Sequence, residues 1–136
     1  MITMEEYVGP HADSPDWTLE REDNAADLLL RVNALVEYLT TECGLISQVN
    51  PHTGTEVSGE TFGGFRPQDC CQGAPDSSHK TGKGVDKYDP QNSMDDMLNN
   101  EILERFDLYR EHPNATLGWC HLTTRAPHSG NRTFLP

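Results

Sequence analysis

The chain has 136 residues, of which 35% are hydrophobic, and it carries a formal net charge of −12 at pH 7. This length suits one domain with one modest core. Such a negative charge argues against nucleic-acid binding, which needs a basic surface, and against docking on anionic membranes. We therefore predict a single domain over residues 1–136 that acts on a peptide or a small neutral molecule and binds neither nucleic acid nor membrane.

Targeting signals and paired cysteines are both missing from the sequence. No apolar run reaches the length of a membrane span, and the first ten residues lack the basic start and apolar centre of a signal peptide. We expect cytoplasmic synthesis without a signal peptide. The four cysteines show no CxxC spacing, which favours reduced thiols, although neighbouring Cys70 and Cys71 leave a soft-metal site open.

The N-terminal third holds the clearest periodic pattern. Residues 1–17 are acidic and contain prolines, so we predict a loosely ordered arm anchored by Trp17. Residues 18–43 follow a 3, 4, 7 apolar spacing that predicts an amphipathic helix ending at Gly44. The apolar positions of this predicted packing helix are Ala25, Leu28, Leu29, Val32, Leu35, Val36 and Leu39.

Beyond this helix the chain alternates turns with short elements. Residues 45–75 are rich in Gly, Pro, Thr and Asn, which is typical of turns between short strands. Ser93 and Asp96 resemble a capping box, and the apolar residues that follow as far as Phe106 predict a second helical stripe. The tail after residue 124 is punctuated by Pro and Gly and closes the domain. Helices and strands lie in separate blocks, which favours an α+β fold.

Two predicted strands carry polar residues in alternating patterns. In GVDKY (84–88), Asp86 lies on the face opposite Val85. In LGWCHLTT (117–124), His121 shares a face with Trp119 and Thr123, whereas Cys120 and Leu122 share the other. An unpaired polar side chain in such surroundings is costly, so Asp86 and His121 need partners.

A third polar residue, His79, lies in a glycine-bounded turn just before the first of these strands. Two imidazoles and one carboxylate are a common set of ligands at a catalytic zinc, which keeps a fourth position for water. Such a metal favours amide hydrolysis, because it activates water and polarises a carbonyl. The alternative is that each residue is an ordinary hydrogen-bonded core or surface residue.

Two motifs resemble one enzyme family. SSHKTGKGVD (77–86) resembles the SxHxxGxAxD signature of zinc D-Ala-D-Ala carboxypeptidases and their endolysin relatives, with Gly84 where alanine is usual. GWCHL resembles their closing W-x-H strand. The resemblance covers about residues 49–136, is closest to small phage-encoded members, and implies that His79, Asp86 and His121 bind zinc. It also implies a small antiparallel sheet packed against helices, as in the wider hedgehog-domain superfamily, and cleavage of peptidoglycan stem peptides.

The catalytic residues are less well defined than the ligands. The family's catalytic glutamate stands three residues before the last histidine, where this chain has Gly118. Glu111 and His112 are the nearest candidates to act as the base from the loop before the strand, and an exposed loop carboxylate is the alternative for Glu111. The segment GGFRP resembles a family segment whose arginine contacts substrate, which implies that role for Arg66. The alternative for Arg66 is an ion pair with a neighbour such as Asp69.

Three interpretations follow. The first is a zinc peptidase acting on peptidoglycan peptides, which the complete ligand set favours. The second is a non-catalytic zinc module, a structural or binding part of a phage particle, which the missing glutamate and the lack of a wall-binding segment favour. The third is a domain without metal. The first two interpretations place the protein in a host cell or in a phage particle. The sequence does not indicate the oligomeric state.

Overall fold

A computed structural model describes residues 1–136 as an α+β fold with four helices and one four-stranded sheet. The helices are α1 (Met4–Val8), α2 (Leu19–Cys43), α3 (Ser93–Met97) and α4 (Asn100–Arg105). The strands are β1 (Gly84–Tyr88), β2 (Tyr109–Glu111), β3 (Trp119–Thr123) and β4 (Thr133–Phe134). Three short 3-10 turns span Gly9–His11, Ser78–Thr81 and Pro113–Ala115.

The sheet is mixed, with the strand order β1-β3-β2-β4. The predicted antiparallel pairing holds for β1, β3 and β2, but β4 runs parallel to β2. The chain leaves β3, turns at residues 127–130 and returns along the far edge of β2, where the His112 amide donates to the Phe134 carbonyl at 2.7 Å. This return brings the C-terminal tail close to the face of the sheet that carries Asp86 and His121.

The predicted long helix is confirmed as α2. The Thr18 hydroxyl accepts a hydrogen bond from the Arg21 amide at its start, and Gly44 ends it in the left-handed conformation at a φ of 74°. All seven predicted apolar positions are buried and share one core with Val85, Cys120 and Leu122 of the sheet. Because strand residues alternate, Asp86 and His121 face away from this core.

The prediction of a loosely ordered arm over residues 1–17 is wrong. This segment forms α1, which begins with a capping box between Thr3 and Glu6. Tyr7 is fully buried, and its hydroxyl donates to the carbonyl of Gly84, the first residue of β1, at 2.9 Å. This long-range contact orders the segment. A helix of five residues is too short to show a periodic pattern in the sequence.

The second helical stripe is divided into two short helices. The backbone turns extended at Leu98, with a ψ of 142°, so α3 and α4 are separate. The predicted capping box at Ser93 and Asp96 is also wrong, because the N-cap of α3 is Asn92, in the left-handed region at a φ of 55°. The Asn92 side chain bonds instead to the Thr116 carbonyl at 2.9 Å, so a tertiary contact replaces the local cap.

Residues 45–75 form turns without regular strands. Two isolated bridges, Asn50–Thr55 and Val57–Lys87, are the only strand-like pairings there. In place of the hydrogen bonds of a regular strand pair, the buried Asn50 side chain donates to the carbonyls of Val57 at 3.0 Å and Gly59 at 2.7 Å. Backbone hydrogen bonds hold the segment against β1: the Ser58 amide donates to the Asp86 carbonyl at 2.7 Å, and the Asp86 amide donates to the Gly63 carbonyl at 2.8 Å.

All four cysteines are free, and Cys120 is buried in the core while Cys43 and Cys71 are exposed. Neither Cys70 nor Cys71 belongs to a cluster of possible metal ligands. None of the helices is long and apolar enough to cross a membrane.

Candidate metal centre

The structure brings the three predicted ligands together. Asp86 and His121 are direct partners in the register of β1 and β3, and His79 lies in the 3-10 turn that precedes β1. The Asp86 Oδ1 atom lies 2.9 Å from His121 Nδ1 and 3.2 Å from His79 Nε2. All three possible ligand atoms fall within 4.8 Å of one another. Ligands around tetrahedral zinc are roughly 3.3–3.5 Å apart, so small shifts would accommodate the ion.

The hydrogen bonding of His79 points to a cation at this site. Its Nδ1 atom lies 2.7 Å from the Gly64 carbonyl, which only accepts, so Nδ1 must carry the proton. In the neutral ring, Nε2 then directs a lone pair at the Asp86 carboxylate, 3.2 Å away in a buried setting. Two facing lone pairs repel each other, and a cation between them would satisfy both. The residues therefore fit a metal ion.

The charge states of His79 and Asp86 also suit metal binding. Burial lowers the pKa of His79, which keeps the imidazole neutral at pH 7. Burial alone would raise the pKa of Asp86, but attraction to the imidazoles of His79 and His121 in their protonated form outweighs burial and holds that pKa well below the usual range. A neutral imidazole and an ionised carboxylate are the forms that bind metals.

Glu111 lies beside the ligands at the end of a strand, not in a loop as predicted. The register of β2 and β3 pairs Tyr109 with Thr123 and Arg110 with Leu122, so the next position places Glu111 opposite His121. Glu111 lines the same cleft as the three ligands. It is half-buried, and burial raises the pKa of its carboxyl, as suits a group that exchanges protons.

The structure does not bring His112, the other candidate base, into this cleft. As the next residue after Glu111, it begins the Pro113–Ala115 turn, where its Nδ1 atom accepts a hydrogen bond from the Asn114 amide at 3.1 Å. The ring thus caps a turn and lies outside the group of possible ligands.

Gly118 has a backbone conformation that disfavours the family's glutamate. Its φ is 96°, in the region that glycine adopts readily and that costs other residues about 1–2 kcal/mol. Its amide donates to Asn92 Oδ1 at 3.0 Å, and it does not line the cleft. A base at this site would come from another position, and Glu111 is the carboxylate, besides the candidate ligand Asp86, that lies beside His121 in the sheet register and lines the cleft.

Arg66 contacts the site, but its ion pair is with the candidate ligand Asp86 rather than with Asp69. Its Nη2 atom lies 3.3 Å from Asp86 Oδ2, the oxygen turned away from the histidines. Its Nε donates to the Phe62 carbonyl at 2.7 Å and its Nη1 to the Gln72 carbonyl at 3.4 Å. The planar guanidinium thus joins three segments and orients the carboxylate, a geometry that lysine cannot reproduce.

We expect Arg66→Lys to destabilise the fold by about 1–3 kcal/mol, because part-buried hydrogen bonds to the Phe62 carbonyl and the Asp86 carboxylate are lost. Zinc affinity should fall as Asp86 loses its orienting partner. Urea unfolding and zinc titration would measure both effects. Arg125→Lys is the matched control, since Arg125 lines the cleft yet contacts none of the three ligands. Equal behaviour of the two variants would contradict the orienting role of Arg66.

The metal centre opens into a cleft of 1230 Å³. One wall is formed by residues around 72–78 and the other by the tail from Arg125 to Pro136. The Arg125 Nη1 atom donates to the Asp76 carbonyl at 2.8 Å and links the two walls. Small-molecule pockets are usually smaller, at about 300–1,000 Å³, so this space suits a short peptide.

Neither this wall nor the residue Ser78 is indicated by a pattern in the sequence. The tail carries turn residues without periodicity, and its position follows from the parallel pairing of β4 with β2. Ser78 is buried beside His121, although it occupies an unspecified position of the motif. No local pattern in the sequence distinguishes it from the neighbouring Ser77.

Comparison of the chain with protein families, with curated proteins and with solved structures gives no match. The similarity to zinc D-Ala-D-Ala carboxypeptidases therefore rests on the sequence motifs. The structure by itself shows a small α+β fold with a buried His79–Asp86–His121 cluster that could hold a metal ion.

Proposed function

We propose that this protein is a zinc-dependent peptidase that cleaves amide bonds in peptidoglycan stem peptides. The observation that carries the proposal is the convergence of His79, Asp86 and His121 in the lining of a peptide-sized cleft, with Glu111 beside them. The metal-dependent chemistry is supported by this geometry. The choice of peptidoglycan peptides is supported by the resemblance of the 77–86 motif to the carboxypeptidase signature.

Zinc is the metal that the ligand set favours. Two imidazole nitrogens and one carboxylate oxygen are three protein ligands, the number that catalytic zinc sites use while keeping a fourth position open. A zinc ion held there would supply Lewis-acid chemistry by lowering the pKa of a coordinated water and polarising the scissile carbonyl.

Glu111, Arg66 and the cleft walls have the remaining roles, which are proton transfer, orientation of a ligand and binding of the peptide. A carboxylate oxygen of Glu111 takes a proton from the attacking water and delivers it to the nitrogen of the leaving amine as the amide bond breaks. Burial raises the pKa of Glu111, which makes the protonated carboxyl more accessible for the second step. Arg66 holds Asp86 in place through the oxygen that does not face the histidines. The cleft walls hold the peptide over the site.

A non-catalytic zinc module is the second candidate. It is favoured by Gly118, which stands where the resembling enzymes carry their catalytic glutamate and whose φ of 96° suits glycine. In that case the ion would stabilise the fold, and the cleft would bind a peptide without cleaving it, as a component of a phage particle.

Two measurements on the purified protein test the proposal. Elemental analysis should find one zinc per chain, and mass spectrometry should detect cleavage of cross-linked or uncross-linked muropeptides that a chelator abolishes. A zinc-loaded protein that leaves both substrates intact would instead identify the non-catalytic module. Protein that binds no zinc would overturn both candidates.

A further inference from the structure

The two ring nitrogens of His121 face different partners. Nδ1 lies 2.9 Å from Asp86 Oδ1, among the possible ligand atoms. Nε2 lies 3.4 Å from the hydroxyl of Ser78, its only hydrogen-bond partner in the structure. Ser78 is 4% exposed, so its hydroxyl is held in the interior beside the ring. Which ring nitrogen of His121 is free to bind a metal therefore depends on the hydrogen bond that Ser78 makes with Nε2.

Space for this hydroxyl is created by Gly84. A Cβ atom at Gly84 would lie 2.3 Å from Ser78 Oγ and 3.1 Å from His121 Cε1. Contacts this short would displace either the hydroxyl or the ring. The carboxypeptidase signature has alanine at this position, so this chain has the Ser78 hydroxyl where a methyl group would otherwise lie.

A hydroxyl is suited to this position because it both donates and accepts hydrogen bonds. In the metal-free site, Nδ1–H of His121 donates to Asp86, and the Ser78 hydroxyl donates to Nε2. With a metal on Nδ1, the ring proton would lie on Nε2, and Nε2–H would donate to Ser78 Oγ. Both tautomers are then satisfied without moving the ring, which avoids an unpaired buried nitrogen in either state.

We infer that Ser78 is a positioning residue that selects Nδ1 of His121 as the metal-binding atom, with Gly84 providing the space it needs. The inference rests on the proposed zinc site and adds to it a residue outside the ligand set. Partners of this kind hold the ligand ring in place and raise its basicity, and their loss usually weakens metal binding by about 10- to 100-fold.

The first test compares two hydroxyl deletions in the same turn. Ser78→Ala should raise the zinc Kd by about 10-fold or more in competition with a chromophoric chelator. Thr81→Ala is the matched control, because the Thr81 hydroxyl donates to the Ser78 backbone carbonyl at 3.0 Å and contacts no ligand. Its zinc Kd should remain within about twofold of wild type, since no ligand loses a hydrogen bond.

A double variant separates hydrogen bonding from packing. Ser78→Ala combined with Gly84→Ala replaces the hydroxyl with a methyl group that lies 3.1 Å from both the Cβ of residue 78 and His121 Cε1, and it does not restore an acceptor for Nε2–H. The zinc Kd of this variant should stay raised by about 10-fold or more. Recovery of wild-type affinity would show that Ser78 only fills space and would overturn the inference.

Nitrogen-15 NMR of the zinc-loaded wild-type protein tests the inference without any substitution. The His121 ring should show zinc on Nδ1 and a proton on Nε2. Zinc on Nε2, or an unchanged zinc Kd in folded Ser78→Ala protein, would overturn the role of Ser78 while leaving the zinc site intact. Failure of wild-type protein to bind zinc would instead overturn the proposed function together with this inference.

Discussion

Glu111→Gln should reduce muropeptide hydrolysis by about 100- to 10,000-fold, the range that general-base assistance contributes. Glutamine keeps the size of the side chain but cannot take the proton from the attacking water. Because Glu111 is outside the His79–Asp86–His121 cluster, zinc content should stay at the wild-type value. The measurements are kcat/KM on a defined muropeptide, the zinc content and the melting temperature.

The matched control is His112→Asn, the neighbouring candidate base. His112 accepts a hydrogen bond from the Asn114 amide, and an asparagine side chain can replace that cap. Activity should therefore persist in this variant. Loss of activity in His112→Asn together with survival of activity in Glu111→Gln would identify His112, and not Glu111, as the base.

Zinc should raise the melting temperature of metal-free protein by on the order of 10 °C when its concentration is about 100 times Kd. The gain arises because His79, Asp86 and His121 converge only in the folded chain, so the unfolded chain competes weakly for the ion. His121→Ala should abolish most of this rise, since the site loses one of three ligands. Thermal unfolding with and without zinc measures the difference.

His128→Ala is the control for this experiment. His128 lines the same cleft but is exposed and is not among the clustered possible ligands, so its variant should respond to zinc as wild type does. An equal zinc response in His121→Ala and His128→Ala would contradict the ligand assignment. A wild-type melting temperature that does not respond to zinc would do the same.

Local periodicity was enough to predict the elements that form the core. The spacing from Ala25 to Leu39 predicted α2, because a helix places such residues on one stripe whatever surrounds it. The alternation in GVDKY and WCHLT predicted β1 and β3, and it separated Asp86 and His121 from the buried Val85, Cys120 and Leu122. Gly44 likewise marked the end of the helix.

Elements stabilised by distant contacts were not predictable in the same way. The N-terminal segment looks disordered by composition, yet Tyr7 is ordered by its bond to the Gly84 carbonyl, 77 residues away. Strand β2 has only three residues, which are too few to show an alternating pattern, so the sequence predicts a loop at Glu111. Its place beside His121 follows from the register of β2 and β3.

Residue type and spacing are enough to identify candidate metal ligands, because ligand chemistry depends on residue type and the 77–86 motif presents His79 and Asp86 at a characteristic spacing. The arrangement of these side chains follows only from the tertiary structure. Strand pairing set Asp86 opposite His121, the Gly64 carbonyl directed Nε2 of His79 towards the carboxylate, and Arg66 took the remaining carboxylate oxygen. These relations join residues up to 35 positions apart in the chain, and such contacts are fixed by packing and hydrogen bonding rather than by local pattern.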